Sequence, residues 1–146
     1  MSETLVIAMI GGRRCAFRAV DVKSVIEAGK INPIPRAPDY IIGLTALRSQ
    51  ALTVLDCRIA IGCGTDDLLT DSRSIVVSHA GHSYALVVDQ IVDISEDVAG
   101  TQPVPAGLGK QWTQVSSGMV ETANGPALLL DVPALITRPR SDALAA

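Results

Sequence analysis

Short aliphatic runs separated by polar, glycine-bearing breaks recur along this chain. Leu5–Ile10, Ala51–Leu55, Arg73–His79, Ser83–Val88 and Ala127–Leu130 are each of strand length. Arg13–Arg18 sets Cys15 and Phe17 on one face and forms a hairpin with the first run across Gly11-Gly12. Gly81 marks a second hairpin, and Asn124-Gly125 predicts a two-residue turn between Met119–Glu121 and Ala127–Leu130. Val92 and Ile94 continue the β pattern. Helical signals are few. Val22, Val25 and Ile26 stand at i, i+3, i+4, but Gly29 follows closely, so the pattern predicts one turn around Ala19–Lys23 and then a strand through Ile26 and Ile31. Asp131 is placed to cap a short helix through Ile136, with Pro133 in its first turn. Gly62–Ser72 is a connecting loop and the best internal boundary. Val98–Gly109 is a long loop, and the tail after Pro139 frays. Many short strands with little helix predict an all-β chain of two packed barrels.

The stretch Ile34–Gly62, IPRAPDYIIGLTALRSQALTVLDCRIAIG, carries the most specific pattern. Pro35 and Pro38 hold an extended approach to the apolar run Ile41, Ile42, Gly43, Leu44. A turn containing Arg48, Ser49 and Gln50 leads into Ala51–Leu55, closed by Asp56 and Arg58. The result is a hairpin that presents an arginine at its tip, beside the apolar residues Ile42 and Leu47. Arginine among exposed apolar neighbours suits an interface, because its fork bonds while its stem packs. Asp56 and Arg58, two apart, point to one strand face and read as an ion pair that pins the strand end.

Composition narrows the function. The 146 residues carry a net charge of −3 with 3% aromatics and no basic run, which argues against nucleic-acid binding. No apolar run approaches a membrane span, and the N-terminus lacks the pattern of a signal peptide. The cysteines Cys15, Cys57 and Cys63 are odd in number and read as reduced thiols of a cytoplasmic protein.

Catalytic and metal-binding patterns are weak. His79 and His82 flank a hairpin turn, and Cys57 and Cys63 match no common zinc spacing. Cys57 lies at a strand end with no histidine in a motif context, and Ser74 and Ser78 have no nucleophile elbow. Asp66-Asp67 is an ordinary solvated loop pair, and Gly11-Gly12 and Gly107-x-Gly109 lack the strand–helix setting of a phosphate loop. No catalytic residue, cofactor or metal site is expected.

The stretch opening at Ile34 resembles the signature of the CheW-like domain family. Pro35, Pro38, Tyr40, Gly43, Leu47, Arg48, Asp56, Arg58 and Gly62 stand in the matching places, while Ala46, Ser49, Thr53 and Cys57 depart from the family's asparagine, glycine, proline and leucine. Val88-Asp89 is similar to the family's valine-aspartate pair, and GPALLLDVPALI resembles its closing strand and helix. The resemblance implies two five-stranded barrels sharing one core, with strands exchanged between them. The first is expected over roughly 14–71 and the second over roughly 72–138, with strand 4–12 added to it and a tail at 139–146. It also implies a non-enzymatic chemotaxis adaptor, cytoplasmic and recruited to membrane-associated receptor arrays. One surface would bind the regulatory domain of the histidine kinase CheA, and another the cytoplasmic tip of a chemoreceptor. Arg48 is implied on the receptor side, and the turn Val22–Ser24 near a groove between the barrels; Ile42, Gly43 and Leu47 complete the expected surface. Ser24 stands where an acidic residue is common. These departures leave open a second reading, a docking module for a different kinase or output enzyme.

Overall fold

The computed structural model describes residues 3–27, 29–62 and 73–137. Cys63, Asp66-Asp67, the rest of the expected loop after Gly62, and the tail lie outside the described residues. The strands are β1 (Thr4–Ile10), β2 (Arg13–Arg18), β3 (Val22–Glu27), β4 (Ile41–Leu47), β5 (Gln50–Asp56), β6 (Arg73–His79), β7 (His82–Val87), β8 (Gln90–Glu96), β9 (Ser116–Thr122) and β10 (Gly125–Leu130). A 3₁₀ turn spans Ala19–Asp21, and three short helices follow strands or loops: α1 (Cys57–Ile61), α2 (Lys110–Val115) and α3 (Val132–Thr137).

These strands form two five-stranded sheets, ordered β8-β1-β2-β10-β9 and β3-β6-β7-β5-β4. The all-β expectation matches. Neither sheet closes by a strand ladder between its edges among the described residues. Instead, the chain leaving each edge strand reaches the opposite edge through one bridge, Asn32 to Leu44 in one sheet and Gln102 to Met119 in the other. The expected division at residues 62–72 does not follow the sheets. β6 and β7 join β3, β4 and β5, whereas β1 and β2 join the C-terminal strands. The parallel pairs β5·β7 and β2·β10, together with the antiparallel pairs β3·β6 and β1·β8, do this interleaving, and their pairing is decided by contacts distant in sequence.

The apolar runs are continuous because most strands are covered on both faces. In β1, Leu5 and Ile7 join a cluster with Ala16, Val120, Ala127 and Leu129 inside one sheet. Val6, Ala8 and Ile10 point the other way, into a central cluster with Phe17, Leu55, Ile75, Leu86 and Leu135. In β6 and β7, Val76, Ala85 and Val87 fill the second sheet with Leu52 and Val54, while Ile75, Val77 and Leu86 face the centre. The central cluster joins the two halves. With a single Phe and a single Trp in the chain, aliphatic burial at about 25 cal/mol per Å2 supplies nearly all of this cohesion.

Local differences from the sequence reading have clear causes. Asp56 ends β5, and its Oδ1 accepts from the amides of Arg58 (2.9 Å) and Ile59 (3.3 Å), capping α1; Gly62 stops that helix at φ 91°. Arg58 and Cys57 are therefore helical, and the expected strand-face spacing of Asp56 and Arg58 does not apply. The expected cap at Asp131 forms, with its Oδ1 accepting from the Ala134 amide at 3.1 Å. The last hairpin turns at Ala123-Asn124, one residue earlier than expected, and the left-handed excursion falls on Gly125 (φ 119°). The strand predicted through Ile31 ends at Glu27.

Candidate functional site

Two edge strands, β3 of one sheet and β8 of the other, flank a groove of about 260 Å3 lined by Val6, Val25, Arg73, Ile91, Val92, Asp93 and Ile94. Each edge strand is bulged, and the bulges build the site. Along β8, Ile91 pairs with Ala8 but Asp93 already pairs with Ile7, so Val92 is the extra residue. Ile91 and Ile94 then share the face of Ala8 and Val6, although they are three residues apart. Along β3, Val22 pairs with Val77 and Ser24 with Val76, leaving Lys23 as the extra residue. Val22 and Val25 consequently share the face of Val77 and Ile75. A bulge re-aims side chains in this way because it adds one residue to one strand only.

The groove is apolar and open. Ile94 is 68% exposed, and Val92 and Val25 about 40%, unlike the fully covered aliphatics of the neighbouring strands. Arg73 spans it, with Nη2 donating to the Ile91 carbonyl at 3.4 Å across the two sheets. Exposed apolar residues gathered in one concavity are of the kind that marks an interaction surface.

The expected site residues are dispersed. Arg48 is exposed at the β4–β5 tip. Arg48 (φ 51°) and Ser49 (φ 70°) both occupy the left-handed region of a two-residue hairpin turn. Gln50, which pairs with Leu47 right after the turn, fastens this tip, its Nε2 donating to the Ser83 hydroxyl at 3.0 Å. Ile42 and Leu47 are half-buried against the Leu52–Val54 cluster. Gly43 is buried because a Cβ there would lie 2.3 Å from the Asn32 carbonyl oxygen. Val22 is half-buried against the central cluster, and Ser24 is exposed on the other face of β3. The hydrophobic pattern singled out neither Val25 nor Ile94 as groove residues; the signal for them is a bulge, which no residue type encodes.

Asp56 and Arg58 belong to a larger charge cluster. Arg58 Nε lies 3.8 Å from Asp56 Oδ1 and 3.4 Å from Asp89 Oδ1. Asp89 Oδ2 in turn accepts from the Gly12 amide at 3.3 Å, so the cluster ties the end of β5 to the β1–β2 turn of the other sheet. His79 and His82 pair across the β6–β7 turn. Among the described residues no group of three His, Cys, Asp or Glu side chains could hold a metal ion. No described helix is long and apolar enough to cross a membrane. Cys57 is buried, and burial first, then the nearby Asp56, Cys15 and Asp89, raise its thiol pKa well above the ordinary value.

A family model described as CheW-like domain matches residues 4–140. The chain is 22% identical over 140 residues to the chemotaxis protein CheW of Bacillus subtilis, covering 95% of this chain and 90% of that one. It is 28% identical over 139 residues to protein FrzA of Myxococcus xanthus, covering 93% and 86%. The crystal structure of the scaffolding protein TtCheW from Thermoanaerobacter tengcongensis superposes with a TM-score of 0.83 at 23% identity, over 94% of this chain and 90% of that one.

Proposed function

The chain belongs to the CheW-like domain family, and from that premise we propose that it is a non-enzymatic chemotaxis adaptor that couples chemoreceptors to the histidine kinase CheA. The observation that supports this most directly is the groove between the bulged edge strands, which offers Val25, Val92 and Ile94 to a partner. In this reading the groove receives the cytoplasmic helical tip of a receptor. Arg48 and Ser24, both exposed, contribute polar contacts from their own edges of the sheet. Val22 packs on the central cluster from β3, Ile42, Gly43 and Leu47 shape the β4 strand that carries Arg48, and the Asp56–Arg58 pair holds the end of β5. The regulatory domain of CheA docks elsewhere on the sheets, and modest contacts gain strength through repetition in an array at the membrane. The chain carries out no chemistry of its own.

Titration of the full chain with a receptor-tip fragment tests the reading. Ile94→Asp should weaken binding at least tenfold while leaving the melting temperature unchanged, because the side chain is exposed in the free protein. Unaltered binding by this variant would remove the groove from the function. Parallel co-purification with CheA distinguishes the array adaptor from a module that docks on a different kinase or output enzyme.

A further inference from the structure

A second concavity lies away from the groove residues. Met9, Gly11, Gly12, Arg13, Arg14 and Trp112 line an open cleft of about 510 Å3. We propose that this cleft binds an acidic segment of a partner protein, with carboxylates on the two arginines and an apolar side chain against Trp112. It does not rest on the adaptor reading.

Three observations carry the assignment. The first is charge: two adjacent arginines and no acidic side chain line the cleft, in a chain whose net charge is −3. The carboxylate of Asp89, which accepts from the Gly12 amide, faces Arg58 and is committed to the fold. The second is preorganisation. The Arg13 guanidinium sits 5.0 Å from the centroid of the Trp112 ring, a stacking that fixes the fork and leaves its edge donors available. The third is that Arg14 is held in place as well: its Nη2 donates to the Thr122 hydroxyl at 3.3 Å, which fixes the guanidinium at the cleft wall before a partner arrives. Gly11 (φ 59°) and Gly12 (φ 81°) turn the chain without side chains and keep the cleft mouth open.

Trp112 is the chain's single tryptophan, so its emission reports this cleft alone. The probe is an acetylated, amidated hexapeptide of alternating glutamate and leucine, compared with its glutamine counterpart. The glutamate peptide should give a saturable change in emission that is at least tenfold weaker for the glutamine peptide. It should also weaken between about 50 and about 200 mM salt, as exposed charge pairs do. Arg14→Gln should lose at least tenfold in affinity at an unchanged melting temperature; Arg14→Lys, which keeps the charge but not the fork, should fall between. Equal responses to the two peptides, or wild-type affinity in both variants, would overturn the proposal. So would a salt-sensitive dimer seen by sedimentation without peptide, since a second copy would then be the occupant.

Discussion

Arg58 Nε stands 3.4 Å from Asp89 Oδ1, and Asp89 carries this contact on to the other sheet through the Gly12 amide. Arg58 lies in the first turn of the helix that follows β5, whereas Asp89 follows β7 and holds the Gly12 amide of the β1–β2 turn. Both side chains are largely buried, at 12% and 24% exposure. Removing one partner strands the other in a poorly solvated place. Asp89→Asn should therefore cost about 2 kcal/mol in urea unfolding, more than an exposed ion pair contributes. Arg58→Met should be non-additive with it in a double-mutant cycle. Independent, additive losses would show that the two sheets are not coupled through this pair.

The arginine at the hairpin tip separates stability from binding. Arg48 and Ser49 hold positive φ, where non-glycine residues are strained by about 1 kcal/mol. Ser49→Gly should raise the melting temperature by about 2 °C and leave partner affinity intact. Arg48→Gly should raise it similarly but weaken binding to the receptor or kinase. A variant at position 48 that is more stable and binds as wild type would take Arg48 out of the interface. Arg48→Asp should lose binding without unfolding.

The fold was legible where one physical pattern decided it. Runs such as Leu5–Ile10 and Arg73–His79 lead into glycine-bearing turns, so their strand character could be read directly. Their continuous apolar character has its reason in coverage on both faces, as Leu5 and Val6 show by joining different clusters. Pairing was less legible. The sheet that takes Arg73–Val87 is not legible, because the β3·β6 and β5·β7 ladders that fix it join residues distant in sequence. The helix at Cys57–Ile61 is hard to read because it is little more than a single turn directly after β5; its signals are the caps at Asp56 and Gly62. The helix-like spacing of Val22 and Val25 has the same origin as the groove. A bulge at Lys23 places residues three apart on one face of a strand, and hydrophobic periodicity does not distinguish this from a helical turn.

Gly43, one of the residues matching the family signature, has a packing explanation. The Asn32 segment crosses β4 so closely that a Cβ at position 43 would meet Asn32 backbone at 2.3 Å and the Ile31 side chain at 2.9 Å. Backbone cannot yield as a flexible side chain does. Gly43→Ala should cost about 2–3 kcal/mol by overpacking and should disrupt the Asn32–Leu44 bridge, read as faster amide exchange at Leu44. Gly100→Ala is a control for backbone conformation alone: it has open space around its Cβ and a left-handed φ of 82°, whereas Gly43 at φ 159° is nearly extended. If Gly43→Ala proves no more costly than that control, close packing is not the reason for glycine.

Cys57 makes stability depend on alkaline pH. Its thiol is buried in the central cluster, and burial, followed by Asp56, Cys15 and Asp89, holds its pKa well above the ordinary value of 9.0. Below that value the thiol is protonated in both the folded and unfolded chains, and its contribution is fully present. Above it the unfolded chain releases the proton while the folded chain retains it. The unfolded state then binds fewer protons, so unfolding becomes easier as pH rises, by up to about 1.4 kcal/mol per pH unit until the folded pKa is reached. Cys57→Ala removes this group and should flatten the decline between about pH 9 and pH 10.5 in urea unfolding, whatever it costs at neutral pH. Parallel declines for the two proteins would mean that Cys57 is not the group responsible.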